Sequence, residues 1–384
     1  MIRPDEELSL RHVTLRPARA LLAQADGTLY LGRNLDIYRS TDGGQSWQRV
    51  MRLPCSLARR VAQSSRLACR LLRHEVRALA SLPDGGYVAS NRRGVFYAEA
   101  TPTRFTSEHP PMVMSPSRLG ASCGEVFPPM TMTVGPGDRV IWGEYNSKTN
   151  HRLPIRIFIS EDRGRSYEVA RVFEAGSILH IHNLVYDSGL SHYWVLAGDH
   201  EHEPGIGRLS ADLKDFDWLV KGDQQYRAVE VFDFGDHLIY GMDSERAPNA
   251  VMRLDKATGR VERLQEIDGS CIYACRFGGL YVLSTTVEPS RVNHSTTAGL
   301  WVSRDGDRWQ RVLRVEKDFW HPVYFQYGSL VLPRGASEQE TIFFSGQALK
   351  GFDGRACVAQ LDEGRSGDPI TKPAGSAERG GQTR

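Results

Sequence analysis

The chain has 384 residues, 40% of them hydrophobic and 24% charged, which is long and apolar enough for a sizeable core and excludes a charge-dominated unfolded chain. A formal net charge of +2 excludes a nucleic-acid partner recruited by bulk attraction. No apolar run approaches the roughly 20 residues that cross a bilayer. Residues 1–7 are charged and have no apolar stretch behind them, so no secretory signal is read there. The six cysteines form no Cys-x-x-Cys pair and read as reduced, mostly buried thiols. Both features imply a cytoplasmic protein.

From residue 20 the chain repeats one short plan. Ala20-Leu21-Leu22-Ala23 is followed by the turn pair Asp26-Gly27, then by Leu29-Tyr30-Leu31-Gly32 and Ile37-Tyr38. The plan returns as Val76-Arg77-Ala78-Leu79, Asp84-Gly85-Gly86, Tyr87-Val88-Ala89 and Gly94-Val95-Phe96-Tyr97. Further units occupy 130–173, 178–219, 226–266, 270–313 and 322–361. Short strands bounded by turn residues, about seven sets at a spacing of roughly 50, predict one closed all-β propeller over residues 1–363. Its blades are expected to be four-stranded and antiparallel, seven in number, or six if one unit is irregular. The segment His12-Val13-Thr14-Leu15 is the expected outer strand of the last blade, where it removes an exposed edge.

Three places carry a sharper pattern. Ser40-Thr41-Asp42-Gly43-Gly44-Gln45-Ser46-Trp47 fits S-x-D-x-G-x-[ST]-W in full. Ser160-Glu161-Asp162-Arg163-Gly164-Arg165-Ser166-Tyr167 fits with Tyr for Trp, and Ser303-Arg304-Asp305-Gly306-Asp307-Arg308-Trp309 is one residue short. Ser and Asp oxygens can accept from neighbouring backbone N–H groups while Gly takes positive φ, which suits a hairpin turn. These boxes resemble those of the sialidase-like Asp-box (bacterial neuraminidase repeat) propellers. The resemblance implies that the boxes lie on outer turns as scaffold, and that the active centre lies elsewhere, on a glycan substrate. Leu15-Arg16-Pro17 is a poor match to the Phe-Arg-Ile-Pro-type segment of true sialidases, so the resemblance implies a glycan-active propeller and no particular sugar.

Two insertions interrupt the units. Residues 52–75 carry Arg52, Arg59, Arg60, Arg66, Arg70 and Arg73 among leucines and valines. They read as a basic helix on the rim with exposed arginines, and as a candidate contact with an anionic membrane surface. Residues 106–129, rich in Pro and Met, read as a long ordered loop forming a lid or wall over the central face. Residues 364–384 read as a disordered tail.

Propeller sites lie at one mouth of the central channel, fed by inner strands and the loops between blades. Polar clusters stand at such places in the middle of the chain: Glu144-Tyr145-Asn146, His180-Ile181-His182, Asp199 to Glu203, Gln225-Tyr226-Arg227 and Asp243. Burying them is costly unless each is paired, and a polyhydroxylated or charged ligand would pair them. His180 and His182 lie two apart on a strand and point one way, which suits proton transfer near neutral pH. The candidate catalytic residues are His182, Asp199, Tyr226, Glu144 and Asp243. Glu144 and its neighbour Tyr145 face opposite ways on a strand, so Tyr226 or Tyr240 is the expected tyrosine. Arg227 is the expected carboxylate clamp, with Arg77, His180, Gln225 and Asn146 as further substrate-binding groups and Arg92 or Arg93 as companions. The His-x-His spacing alone is too common to specify a metal, and no cofactor is expected.

Three functions fit: a hydrolase cleaving an acidic or deoxy-sugar linkage, a lyase acting on a uronate, and a non-catalytic glycan-binding or assembly propeller. The expected partner in each is a glycan or glycoconjugate.

Overall fold

The computed structural model describes residues 7–73, 75–99, 112–120, 124–147 and 153–362. Turn chemistry sets the first strands. Asp26 accepts from the Thr28 amide at 2.9 Å and Gly27 takes φ +86°, which folds Arg19–Ala23 back on Leu29–Arg33. The same device at Asp84 and Gly85 folds Ala78–Ser81 on Tyr87–Asn91.

The strands form four-stranded antiparallel meanders, labelled by letter in chain order. Meander A comprises Arg19–Ala23, Leu29–Arg33, Asp36–Ser40 and Gln48–Arg52. Meander B comprises Ala78–Ser81, Tyr87–Asn91, Gly94–Ala98 and Ser115–Pro116. C holds Thr133–Val134, Val140–Gly143, Ile155–Ser160 and Ser166–Phe173. D holds Ile181–Asp187, His192–Ala197, Gly205–Ser210 and Phe216–Lys221. E holds Phe232–Asp233, His237–Gly241, Ala250–Asp255 and Val261–Glu266. F holds Ser270–Phe277, Leu280–Val287, Thr297–Ser303 and Gln310–Glu316. G is built from both ends of the chain: Gly328–Val331, Ile342–Gln347 and Ala356–Asp362 are completed by Glu7–His12.

The terminal strand is thus Glu7–His12, a few residues earlier than the expected 12–15, with His12 opposite Cys357. Leu8 and Leu10 pack on the apolar cluster shared by A, F and G, which fixes that register. Arg334–Ser337 runs parallel to the first strands of both A and F and joins them, while Gly328–Val331 of G pairs with Leu280–Val287 of F, so the three meanders share one hydrogen-bonded sheet.

Apolar side chains lie between successive meanders. Clusters fill A/B, B/C, C/D, D/E and E/F, and the largest joins F, G and A. A strand covered on both faces must be apolar throughout, and Tyr193 to Ala197 are all buried. Val261–Glu266, a fourth strand, faces water and has no buried residue. Cys69, Cys271, Cys275 and Cys357 are buried free thiols, Cys55 is half-buried, and Cys123 lies outside the described residues.

Both insertions differ from expectation. The basic segment does form helices, Leu57–Ala62 and Arg66–Leu72, the second capped by Ser65 accepting from the Ala68 amide. Its arginines are not uniformly exposed. Arg66 makes paired contacts with Asp353, and buried Arg70 meets Asp318 at 2.5 Å and the Phe325 carbonyl at 2.9 Å. The helices are pinned to the rim by these pairs, while Leu57 and Val61 are exposed. The described part of the Pro/Met segment is no lid. Met112–Val113, Ser115–Pro116 and Arg118–Leu119 pair with outer strands of A, B and C in turn. Open strand edges there offer unpaired N–H and C=O groups, which this segment covers. The 364–384 tail lies outside the described residues.

Candidate active site

A cavity of about 430 Å³ opens where the first strands of the meanders converge. Three of those strands carry a register shift at the same place: between Ala20 and Leu22 in A, Ile181 and Asn183 in D, and Cys271 and Tyr273 in F. A bulge re-aims side chains, and in D it falls on His182.

Two imidazoles and a carboxylate meet there. His180 Nδ1 faces the Asn146 carbonyl and His182 Nδ1 faces the Ala228 carbonyl, both at 2.9 Å. A carbonyl only accepts, so each ring donates from Nδ1 and directs Nε2 inward. The two Nε2 atoms are 2.9 Å apart. His182 Nε2 lies 2.9 Å from Asp199 Oδ1, and His180 Nε2 lies 3.2 Å from Oδ2. Both histidines are 2% exposed. Burial pushes His182 down, against the pull of Asp199.

Arg227 bridges this centre to a second carboxyl. Its Nη2 is 3.1 Å from Asp199 Oδ1 and 3.6 Å from Asp243 Oδ2, and its Nη1 is 3.7 Å from Glu245. Burial would raise Asp199, but His180, Arg227 and both imidazole contacts hold it well below the usual aspartate range. Burial raises Asp243 well above that range; Arg227 opposes the shift, while Glu288 and Asp199 add to it. Asp243 Oδ1 has no hydrogen-bond partner among the described residues. Gln224 donates to the Asp199 carbonyl at 3.0 Å and accepts from Ser244 at 2.7 Å, tying the loops together.

The other wall is basic. Arg19, Arg73, Arg77, Arg92 and Arg334 line it. Arg19 donates to Gln347 and Tyr273, and Arg334 meets Glu230. Arg77 differs. Its guanidinium stands 4.7 Å over the Tyr145 ring, and no carboxylate among the described residues pairs with it. Burial pushes its pKa down. Desolvation and the charges of Arg73 and Arg77 push Arg92 down to about 10. Both guanidiniums stay charged; burial is the larger cause of each shift, and neighbouring arginines add to it. Tyr145 in turn stacks on His180 with centroids 4.1 Å apart.

Of the residues expected from sequence, His180, His182, Asp199, Arg227, Asp243, Asn146 and Arg77 come together here. Asn146 contributes its carbonyl to His180. Arg227 is engaged by the protein's own carboxylates, so it is not an open clamp; the residue with that freedom is Arg77. Glu144 is fully buried away from the cavity, bound bidentately by Arg156 at 2.8 Å and accepting from the Phe127 amide. Its neighbour Tyr145 faces the cavity, as strand alternation requires. Tyr226 packs in the D/E apolar cluster, Tyr240 donates to the Gln225 carbonyl, and neither Gln225 nor Arg93 lines the cavity. Glu245, Glu288, Tyr273 and Arg334 carry no sequence signal, because each is a single ionisable or aromatic residue in a strand or loop with no motif around it.

The Asp boxes stand elsewhere. Asp42, Asp162 and Asp305 sit between third and fourth strands of A, C and F, outside the cavity lining. Ser40 donates to Asp42 at 2.7 Å, the Gln45 and Ser46 amides donate to it, and Trp47 Nε1 donates to the Gly44 carbonyl. Asp162 and Asp305 repeat the pattern.

No family model matches the sequence, and no curated protein matches it either. Solved structures do. The chain is similar to the WD40 β-propeller domain of Doa1 (TM-score 0.55, 11% identity, 94% of this chain and 98% of that one). It is also similar to the extracellular domain of the putative hybrid two-component system BT4673 from B. thetaiotaomicron (TM-score 0.56, 10% identity, 93% of this chain and 43% of that one). A third is the AfRom2 CNH domain (TM-score 0.52, 9% identity, 93% and 99%). The protein is a β-propeller. At such identities the likeness extends to the fold alone.

Proposed function

We propose that this protein is a seven-bladed, closed, Asp-box-type propeller acting in the cytoplasm on an acidic glycan, whose glycosidic linkage it cleaves. Blades A to G supply the ring, and Glu7–His12 closes it. The observation that carries the reading is Arg77, a cavity-facing guanidinium without a carboxylate partner among the described residues, beside the Tyr145–His180 stack in the cavity that Asp199 and Asp243 also line. A buried cation left without an anion is costly, and a ligand carboxylate relieves that cost bidentately. The sugar hydroxyls then face the cavity's acceptors.

The same cavity holds an acid pair. One Nη2 of Arg227 lies near both Asp199 and Asp243, so their nearer oxygens are at most about 7 Å apart, a bound that admits the roughly 5–5.5 Å of retaining pairs and only the lower end of the inverting range. Asp243, held protonated, is the proton donor to the leaving oxygen, and the Asp199 centre orients the attacking water. A second reading, β-elimination, is favoured by the Tyr145–His180 stack beside Arg77, which sets a phenol and an imidazole next to a bound uronate.

A panel of acidic oligosaccharides tests the proposal, with reducing ends and the ultraviolet absorbance of unsaturated uronate followed together. New reducing ends without absorbance support hydrolysis, and both together support elimination. Absence of product and of calorimetric binding across the panel overturns the acidic-glycan reading.

A further inference from the structure

The two histidines pose a problem of lone pairs. Each Nδ1 is committed to a backbone carbonyl as donor, so each neutral Nε2 presents a lone pair, and the two face one another at 2.9 Å. Two lone pairs at that distance repel unless a cation lies between them. From the convergence of His180 Nε2, His182 Nε2 and Asp199 we infer that this site binds one divalent first-row transition metal ion.

The spacing specifies the geometry. An octahedral ion with bonds of about 2.1 Å sets neighbouring ligand atoms about 3.0 Å apart, against about 3.4 Å for a tetrahedral one. The separations are 2.9 Å between the nitrogens, 2.9 Å from His182 to Asp199 Oδ1 and 3.2 Å from His180 to Oδ2. Two imidazoles and one carboxylate, whose two oxygens each stand near one ring, make a two-histidine, one-carboxylate ligand set, which leaves other positions for water or ligand oxygens.

The surroundings are those of a built site. Backbone carbonyls at 2.9 Å lock both ring orientations, and Arg227 on Asp199 Oδ1 orients the carboxylate. Tyr145 stacked on His180 shields one flank, and the cavity reaches His180 and Asp199 from the other. Asp199 carries one negative charge toward two neutral imidazoles, so an ion of charge two retains net positive charge facing the cavity. There it attracts the same anionic ligand that Arg77 does. The metal requires neither a sugar nor turnover, so it stands or falls apart from the glycan reading.

The test uses the full untagged chain, stripped with a chelator and dialysed. Mn²⁺ is titrated by calorimetry and electron spin resonance, and Co²⁺ by its visible absorption, with His182→Ala and Asp199→Asn alongside. The expected result is one ion per chain, Co²⁺ bands of imidazole ligation, and affinity weaker by about 100-fold or more in each variant. Where His182→Ala does not fold by circular dichroism, Asp199→Asn, which keeps the side-chain shape, carries the comparison. Binding equal in wild type and Asp199→Asn overturns the inference. So does an imidazole ¹⁵N spectrum showing a proton shared between the rings and unchanged by Zn²⁺.

Discussion

The outer hairpins and the central cavity both depend on aspartates that accept several hydrogen bonds, yet the two regions use them to opposite ends. Asp42 is answered by hydroxyls and amides of its own turn, Ser40, Gln45 and Ser46, all within four residues. Every contact closes the loop that makes it, and those contacts hold Asp42 well below the usual aspartate range. Asp199 is answered by His180, His182 and Arg227, groups from two blades and from 17 to 28 residues away. Local satisfaction builds a scaffold, whereas convergent satisfaction from distant segments builds a site with charge left over. Asp243 and Arg77 hold that remainder: among the described residues Asp243 Oδ1 has no hydrogen-bond partner, and Arg77 stands over the Tyr145 ring without a paired carboxylate.

The largest test of this contrast is Asp243→Asn. Loss of a positioned proton donor is expected to lower turnover of an acidic glycan about 10²- to 10⁴-fold with the fold intact. Asp243 binds its proton more tightly when folded than when unfolded, so its own contribution to stability is complete below the ordinary aspartate range and declines as pH rises past it, opposite in sign to the contribution of Asp199. Denaturant unfolding across pH should show that decline in the difference between wild type and the variant.

Next comes Arg156→Ala, which strands Glu144 as a buried charge. A stability loss of about 3–5 kcal/mol by urea unfolding is expected. A loss of activity without a loss of stability would instead return Glu144 to the chemistry. Arg77→Ala is expected to weaken binding of an acidic oligosaccharide about 10- to 100-fold by calorimetry, with a neutral analogue unaffected. The smallest effect belongs to the scaffold: Asp162→Ala should cost about 1 kcal/mol in thermal unfolding and leave ligand affinity unchanged.

The fold was legible because it is written in short-range signs. Asp26-Gly27, Asp84-Gly85 and the boxes mark hairpins, and buried second strands such as Tyr193 to Ala197 read as continuous apolar runs. A fourth box-like turn escaped notice: Ser210 donates to Asp212 at 2.6 Å between the third and fourth strands of D, without Gly or Trp to mark it. The acidic and histidine wall was legible because His180, Asp199, Arg227 and Asp243 interrupt apolar runs at strand ends. The same rule misplaced Glu144, since a strand end does not say which way its side chain turns, and pairing with Arg156 decided it. The basic wall was largely hidden. Arg92 was legible beside Arg77, but Arg19, Arg73 and Arg334 are single arginines scattered among 48 basic residues, brought together only when A, B and G converge.

The most direct measurement is ¹³C NMR of the aspartate carboxyls across a pH titration, in wild type and Asp243→Asn. One carboxyl is expected to keep its proton well above the ordinary aspartate range, and that resonance is expected to vanish in the variant. Titration of every aspartate at or below the ordinary range in wild type would contradict an acid held ready beside Arg227.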